Sequence, residues 1–408
     1  MRRGGLALYA AAAASGRLAA RASALAITLL AVATTGDPLV AGAVTAFTVL
    51  PSLVLGPLLG MIVDRATRPK RLYLAAPPVF AASLTAVALT LGAGLWPLAL
   101  LFAFITGCAT PLFEGAMTPL VVSVVPAEKL ARGYAVDVGT YSVSAIIGPL
   151  VATFTAALWG PFWAVVAAAV IALPAWAFIA LLSIPMRGPR ILPPFRVRDV
   201  WTGLVVLTRV PQLRGTTVAS SLASFGKDAV LPLAVTLLAF EWGRAAEEGG
   251  LLLVAHALGG VLGSVIVAVR PIGLRYASRI LYLSLVVSGL AFVLLGFTDD
   301  PTLTFVVMFA CGLLNGPMTT STIIVRSAYT PEALRTQVFT TAMSLRATSA
   351  AGALVGGALG AAAGGSGLLV FIGLSQLGAA GLGLLAGLPW GRRPGPTHPG
   401  PHPAVGSA

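Results

Sequence analysis

The chain has 408 residues, of which 57% are hydrophobic and only 10% are charged, and its mean hydropathy is +0.94. Soluble domains carry about 25% charged residues, so this composition excludes a water-soluble globular protein. A spanning helix needs about 20 residues, which leaves room for roughly twelve spans with short loops. We attribute the formal net charge of +13 to basic loops on the cytoplasmic face of a membrane protein and predict no nucleic-acid partner.

The sequence lacks the short motifs that carry enzymatic or metal chemistry. Cys108 and Cys311 both lie in apolar runs, and the three histidines are scattered along the chain. No H-E-x-x-H, C-x-x-C, phosphate-binding loop or G-x-S-x-G pattern occurs. We therefore predict no enzyme activity, no cofactor and no metal site. Residues 1–14 have the charge pattern of a signal peptide, but we assign them to the first span, because removing them leaves an odd number of spans.

Apolar runs separated by turn signals predict an all-α polytopic protein with twelve transmembrane helices. The first five spans are predicted at residues 8–33, 39–63, 73–91, 96–124 and 134–158. The sixth span ends near residue 183, and the seventh is predicted at 213–240. The eighth span reaches residue 269, the ninth ends before 299, the tenth reaches 327, and a glycine-rich break at 364–367 separates the last two.

A change of composition after the sixth span divides the chain. Residues 186–199 contain four arginines and three prolines. We predict an N-terminal six-helix half at 1–185, a cytoplasmic linker at 186–211 and a C-terminal six-helix half at 212–389. An amphipathic helix at 197–210 is expected to lie on the membrane surface. Residues 390–408, rich in Pro and Gly, are predicted to form a disordered cytoplasmic tail.

The charges of the loops orient this topology. The predicted outer loops contain a single base, Arg244, and six acids: Asp37, Glu241, Glu247, Glu248, Asp299 and Asp300. Lys and Arg in short loops stay on the cytoplasmic side. Both termini are therefore predicted to be cytoplasmic, in a multi-pass protein of the cell (plasma or inner) membrane.

The two predicted halves resemble one another. A shift of 205 residues maps Arg65 onto Arg270, Gly107 onto Gly312 and Pro126 onto Pro331. The borders of the predicted helices shift with these residues. This pattern predicts two pseudo-symmetric six-helix halves in parallel orientation.

The loop between the second and third spans has one acid among four bases, preceded by glycine. These residues are Gly60, Asp64, Arg65, Arg68, Lys70 and Arg71. The pattern resembles the signature loop between helices 2 and 3 of the major facilitator superfamily of transporters. The resemblance implies a conformational latch, in which Asp64 faces the positive N-terminal end of the eleventh span across the two halves. The alternative for the bases is that they only keep the loop in the cytoplasm.

The fifth span contains Gly148-Pro149, flanked by Ser144, Ala152 and Thr153. It is similar to the helix 5 signature of superfamily exporters, in which small residues permit close packing and the proline bends the helix. Residues 125–132 and 211–214 look like the bacterial branch that contains siderophore and macrolide exporters. The resemblance implies export, but these are loop motifs and say little about cargo.

Five ionisable residues lie deep in the predicted spans, roughly 13–21 Å from the inner face at 1.5 Å per residue. They are Arg21, Glu114, Lys227, Asp228 and Arg346. Each would cost about 2.5–3.5 kcal/mol if it faced lipid at the bilayer centre, so they must face the interior or pair. Structural ion pairs and a substrate or proton pathway remain the two interpretations. We expect Asn315 and Tyr141 to line the same cavity, and Arg17 and Asp137, nearer the inner face, to be structural.

These observations predict a monomeric secondary transporter that exports a small hydrophobic or amphipathic molecule, such as a drug, siderophore or secondary metabolite. Its partners would be the cargo, protons and the lipid bilayer. Of the two deep acids, we favour Glu114 slightly over Asp228 as the proton carrier, because no charged residue adjoins Glu114 in sequence. Uptake of a small nutrient is the alternative within transport, and a non-transporting sensor or scaffold on the same fold is the alternative outside it.

Overall fold

The computed structural model describes residues 5–114, 117–126, 130–184, 204–270, 272–330, 338, 341–342 and 344–388. Several predicted features lie outside the described set. They are the surroundings of Gly60, the side chains of Asp64, Arg65 and Glu114, most of the linker, residues 331–337 at the predicted start of the eleventh span, and the tail from residue 389.

The described elements are helices. The first six are α1 (Gly5–Thr35), α2 (Pro38–Arg65), α3 (Pro69–Gly92), α4 (Trp96–Glu114), α5 (Leu130–Trp159) and α6 (Pro161–Leu181). The next six are α7 (Pro211–Lys227), α8 (Leu231–Glu241), α9 (Gly250–Val269), α10 (Leu274–Leu295), α11 (Pro301–Tyr329) and α12 (Ser349–Ala386). Within the described residues, ten helical stretches are long and apolar enough to cross a membrane. The protein is therefore a multi-pass membrane protein.

Acidic caps and prolines start the helices where the sequence predicts turns. Asp37 accepts a hydrogen bond from the backbone N–H of Leu39 at 2.8 Å, and Pro38 occupies the first turn of α2. Asp300 caps α11 in the same way, with the N–H of Thr302 at 2.8 Å. Side-chain caps and an early proline both favour a helix start, because the first N–H groups of a helix have no backbone partner.

Two predicted spans are interrupted. The fourth was expected to be continuous over 96–124, but α4 ends at Glu114 and a 3₁₀ turn, Thr118–Leu120, precedes the short helix Val121–Val124. Pro119 within this turn has no N–H to continue the ladder of hydrogen bonds. The seventh span, expected as one helix over 213–240, is divided into α7 and α8. The break is described below, because it positions the candidate site.

The last helix contains the break that the glycine-rich segment predicts. Gly364 has φ 65° and ψ −162°, a backbone conformation open almost only to glycine. The carboxylate of Glu241 at the end of α8 accepts hydrogen bonds from the N–H groups of Gly365 at 2.6 Å and Ser366 at 3.1 Å. Glu241 thus caps the part of α12 that follows the kink.

The first and second sets of six helices share a packing pattern. In both sets, the second-span helix packs along the fourth-span helix, as α2 does with α4 and α9 with α11. Gly107 and Gly312, which the sequence repeat predicts to be equivalent, both lie at these contacts. A methyl group at Gly107 would lie 2.8 Å from the carbonyl carbon of Thr48, and one at Gly312 would lie 2.8 Å from that of His256.

The two sets of helices also pack against each other. We call the end of the bundle where α1 turns into α2 the Asp37 end, and the opposite end, where α2 turns into α3, the Arg68 end. Near the Asp37 end, α2 packs on α12 without intervening side chains. A methyl group at Gly357 would lie 2.9 Å from the carbonyl oxygen of Pro38, and one at Gly42 would lie 2.8 Å from the Cα of Gly357. The helices α5 and α9 also contact each other across the two sets.

Candidate functional site

The helix break between α7 and α8 places two charged residues near the middle of a membrane span. Lys227 is the last residue of α7 and Asp228 follows it, within an apolar stretch that runs from Pro211 to Glu241. Pro232 lies four residues after Asp228. It has no N–H to donate to the Asp228 carbonyl, and its ring crowds that carbonyl. The proline therefore interrupts the helix at the charged residues.

An ion pair crosses from this break to the turn that precedes α12. The Nη2 of Arg346 lies 2.8 Å from Oδ2 of Asp228, and its Nε donates to the hydroxyl of Ser224 at 3.1 Å. Thr348, in the same turn as Arg346, donates to the carbonyl oxygen of Ser221 at 2.9 Å. The turn is thus bound to α7 at successive levels.

The Asp228–Arg346 pair is accessible although it lies deep in the span. The side chain of Asp228 is 31% exposed and that of Arg346 is 41% exposed. The next residue, Ala229, is buried against Ala46 of α2 and Ala350 of α12. The pair therefore lies beside the contact between the two sets of helices, where relative motion of the sets would change its surroundings.

Lys227 extends the same cluster to α11 and α9. Its ammonium donates to Oδ1 of Asn315 at 3.3 Å, so the structure brings together two residues that the sequence analysis selected independently. The ammonium is also within electrostatic range of Asp228 and of the Cys311 thiol. His256 lies near Lys227 and contacts the carbonyl oxygen of Met308 through Nδ1 at 3.3 Å. This contact joins α9 to α11.

A second ion pair occupies the first set of helices. Nη1 of Arg17 lies 2.7 Å from Oδ1 of Asp137, and their side chains are 0% and 4% exposed. Asp137 also accepts hydrogen bonds from the hydroxyls of Tyr9 and of Thr118, the latter at 2.9 Å. The guanidinium of Arg17 lies 3.5 Å from the centre of the Tyr141 ring. A closed, fully packed pair of this kind fits the structural role predicted for Arg17 and Asp137.

The two pairs have related positions and exchanged charges. In the first set, the base is on the first helix and the acid on the fifth, α5. In the second set, the acid Asp228 follows the first helix, α7, and the base Arg346 lies in the turn before α12. The first pair is buried and the second is exposed. Of these two pairs, the second is the accessible one.

The other predicted cavity residues lie in the first set of helices. The exposed Arg21 is one turn beyond Arg17 on α1. A methyl group at Gly148 would lie 2.6 Å from its Cβ, so the glycine permits α5 to approach α1 at this level, and Pro149 follows it inside α5. Tyr141 contacts the buried pair on Arg17 rather than the Lys227 cluster.

The described bases of the signature loop differ in their contacts. The ammonium of Lys70 donates to the carbonyl oxygen of Ala180 at 2.7 Å, which binds the start of α3 to the last turn of α6 in the same set of helices. Cations are favourable at a helix C-terminus because of the helix dipole. Arg68 and Arg71 are exposed. The latch stays a prediction, because the side chains of Asp64 and Arg65 lie outside the described set.

Sequence reasoning missed several polar partners of the charged residues. Ser224 lies four residues before Asp228, on the same face of α7, and that spacing is the signal that could have found it. Thr118, Thr140 and Tyr9 surround Asp137 or Arg17, and no local pattern points to them. In the part of the chain that the structure describes, no group of three or more His, Cys, Asp or Glu residues is placed to hold a metal ion.

Comparison with known proteins agrees with this arrangement. The family model described as Major Facilitator Superfamily matches residues 9–213, which are half of the chain. The chain belongs to the Major Facilitator Superfamily. The resemblance of its signature loop to that superfamily is thereby confirmed.

Curated relatives of this superfamily member match it over part of their length. An uncharacterized MFS-type transporter, y4rN, from Sinorhizobium fredii is 30% identical over 212 residues, which are 50% of this chain and 51% of that protein. Macrolide efflux protein A from Streptococcus pyogenes is 30% identical over 179 residues, 42% of this chain and 44% of that protein. The chain thus spans about half the length of the curated relatives it matches.

Solved structures share the fold of this superfamily member at low sequence identity. The nucleoside transporter NupG superposes with a TM-score of 0.73 at 13% identity, over 93% of this chain and 99% of that chain. A POT family transporter superposes with a TM-score of 0.71 at 12% identity, over 93% and 95% of the two chains. The likeness extends over nearly the whole chain and concerns the fold alone.

Proposed function

We propose that this superfamily member is a twelve-span secondary active transporter that exports a small hydrophobic or amphipathic molecule by alternating access. The count of twelve follows if α7 and α8 form one span, α12 forms two on either side of Gly364, and each other helix forms one. The spans then divide into two sets of six, α1–α6 and α7–α12. The excess of acids in the predicted outer loops supports cytoplasmic termini.

The exposed ion pair between Asp228 and Arg346 is the observation that carries the proposal. Both charges lie near mid-span and are exposed by 31% and 41%. Charged residues at this depth are rare and mark substrate or ion pathways. The pair lies at an interrupted helix beside the contact between the two sets, which is where transporters of this type bind their cargo.

The contact between α2 and α12 at the Asp37 end supports alternating access. Gly42 and Gly357 permit the two backbones to meet, and such packing closes this end to cargo. If the Asp37 end faces outward, the described conformation is closed to the outside, and transport requires this contact to separate. The signature loop, with Gly60, Asp64 and the bases Arg65, Arg68 and Arg71, would stabilise the opposite state.

Export is supported by two features of the sequence. Part of the chain is similar to macrolide efflux proteins, and α5 contains Gly148-Pro149 at the place where the superfamily exporters have their signature. The close approach of Gly148 to Arg21 on α1 gives this motif a packing function. The cargo class, a small amphipathic molecule such as a drug, siderophore or secondary metabolite, is part of the proposal.

Proton coupling requires a carboxylate whose protonation changes with cargo or access. Glu114 on α4 and Asp228 are the two deep acids, one in each set of helices. Asp228 is bound by Arg346 at 2.8 Å, so this carboxylate is already part of an ion pair. We therefore propose Glu114 as the carboxylate that is protonated from outside and Asp228 as the acid that organises the cargo site.

The test is transport by the purified protein in liposomes. A panel of amphipathic compounds that includes a macrolide is loaded on one side, and uptake is followed with and without an imposed pH gradient. We expect at least one compound to move, faster with the gradient than without it. Glu114→Gln should retain transport but lose the dependence on the gradient, and Arg244→Gln, a change in an exposed loop, should behave as wild type.

Three outcomes would contradict the proposal. Absence of transport for the whole panel would refute the transport function for this cargo class. Equal rates with and without the gradient in the wild-type protein would refute proton coupling. A Glu114→Gln protein that still follows the gradient would move the coupling role away from this residue.

A further inference from the structure

Lys227 is a cation near the middle of its span. Among the described residues, the acceptor of its hydrogen bond is a neutral side chain. The Lys227 residue is half-buried, and its ammonium donates to the side-chain oxygen of Asn315 at 3.3 Å. Among the described residues, no carboxylate oxygen lies within 4.0 Å of this nitrogen. We infer that Lys227 binds the anionic group of the cargo, so that the protein transports an amphipathic molecule with a carboxylate or another singly charged anionic head. This inference rests on the proposed function.

Among the described residues around Lys227, the positive charges outnumber the negative ones by one. Asp228 is the nearest acid in the described cluster, and its Oδ2 is held by Arg346 at 2.8 Å. The cluster of Lys227, Asp228 and Arg346 thus has two cations and one anion. A charge at the bilayer centre is unfavourable without a partner, and an anionic cargo would supply one.

The donors of Lys227 suit such a group. An ammonium has three N–H donors, and one of them is directed to Asn315. In the proposed complex the other two bind the oxygens of a carboxylate, and hydrogen bonds between charged groups are among the strongest found in proteins. Because an ammonium acts as a point charge, it accepts carboxylate and sulfonate heads alike.

Arg346 and Asp228 are less suited to bind the charged group of the cargo. The guanidinium of Arg346 already holds Asp228 and the hydroxyl of Ser224. A cationic cargo would have to displace Arg346 from Asp228 and would approach Lys227 at the same time. The geometry therefore disfavours a cation and favours an anion at this position.

The neighbours of Lys227 along the chain pack in apolar contacts. Ala229, two residues beyond Lys227, packs with Ala46 of α2 and Ala350 of α12. Phe225, two residues before Lys227, packs edge to face on Phe371 with ring centres 6.0 Å apart. The backbone on either side of Lys227 is thus held by apolar contacts, and the amphipathic character of the cargo is taken from the proposed function.

Three compounds with the same apolar body test this inference. They are 4-phenylbutyrate, which is anionic, 4-phenylbutanamide, which is neutral, and 4-phenylbutylamine, which is cationic. Binding to the purified full-length protein in detergent is measured by thermal stabilisation at constant ionic strength, since a ligand of the native state raises its stability. We expect the anion to bind about tenfold more tightly than the amide and the amine to bind most weakly.

Variants identify the residue responsible. Lys227→Met should abolish the preference for the anion over the amide, and Lys227→Arg should keep it. Arg275→Gln removes an exposed loop cation and should leave the preference unchanged. If Lys227→Met does not fold, the comparison of the three compounds on the wild-type protein and on Lys227→Arg decides the question.

The inference is overturned if wild-type protein binds anion and amide equally, if it binds none of the three compounds, if the amine binds most tightly, or if the preference survives in Lys227→Met.

Its failure is distinguishable from failure of the proposed function. Transport of a neutral or cationic compound without any anion preference would leave the function intact and refute the inference alone. An anion preference at Lys227 without transport of any compound would support the binding site and refute the function.

Discussion

Asp228 and Arg346 lie 118 residues apart in the sequence, yet Nη2 of the arginine donates to Oδ2 of the aspartate at 2.8 Å. The aspartate lies where Pro232 interrupts the seventh span, and the arginine lies in the turn before α12. The pair therefore joins two elements that, in the alternating access proposed above, would move with respect to α2. Its accessibility distinguishes it from the buried pair of Arg17 and Asp137.

A double-mutant cycle measures this contact. Asp228→Asn, Arg346→Gln and the combined variant should give a coupling energy of about 0.5–1 kcal/mol for thermal unfolding in detergent. The value is expected at the low end of the usual range, because both side chains are partly exposed and solvent screens their attraction. Additive effects of the two changes would show that the pair contributes nothing to stability.

The buried pair should respond differently. Asp137→Ala leaves the guanidinium of Arg17 in a fully buried position without its carboxylate, which we expect to cost about 3–5 kcal/mol in the free energy of unfolding. The double variant Arg17→Met/Asp137→Leu removes both charges and should recover most of that loss, since apolar residues often replace a buried pair without penalty. A double variant as unstable as Asp137→Ala would contradict this account.

The contact between α2 and α12 should control opening of the Asp37 end. Gly42→Val adds a side chain where a methyl group already lies 2.8 Å from the Cα of Gly357, so it should hold the two helices apart. The measurement is the alkylation rate of Ala46→Cys, a position that is 2% exposed, in a background without Cys108 and Cys311. We expect a faster rate in the Gly42→Val protein.

Gly381→Val is the matched control, because a Cβ at Gly381 meets no atom within 4 Å. It should leave the alkylation rate of Ala46→Cys unchanged. An unchanged rate in Gly42→Val as well would mean that this close packing does not determine access from the Asp37 end.

Labelling of loops tests the orientation of the protein in the membrane. Asp299→Cys lies in an exposed turn at the Asp37 end and leaves the cap of α11, Asp300, in place. It should react with an impermeant thiol reagent in intact cells. Arg275→Cys, exposed at the Arg68 end, should react only after the cells are opened. The reverse pattern would show that the predicted orientation of the protein in the membrane is wrong.

The local sequence determined where the helices begin and end. Asp37 and Asp300 cap helices at the predicted turns, and Gly364 breaks α12 in the predicted segment. These features depend on residues that are close together in the sequence, so the local sequence pattern predicts them. The breaks in the fourth and seventh spans were not predicted, although Pro119 and Pro232 lie beside them. Both prolines are part of continuous apolar runs, which predicted unbroken helices.

The amino-acid sequence by itself determined that the protein lies in a membrane, because its excess of apolar residues has no other solvent. It also determined that deep charges such as Lys227, Asp228 and Arg346 had to face the interior or pair. Only the tertiary structure decided which charges meet. Arg17 pairs with Asp137 over 120 residues, and Asp228 pairs with Arg346 over 118. Lys227 donates a hydrogen bond to the amide oxygen of Asn315, 88 residues away in the sequence. Such partners depend on how helices distant in sequence rotate and pack against one another, and no local spacing of residues records that geometry.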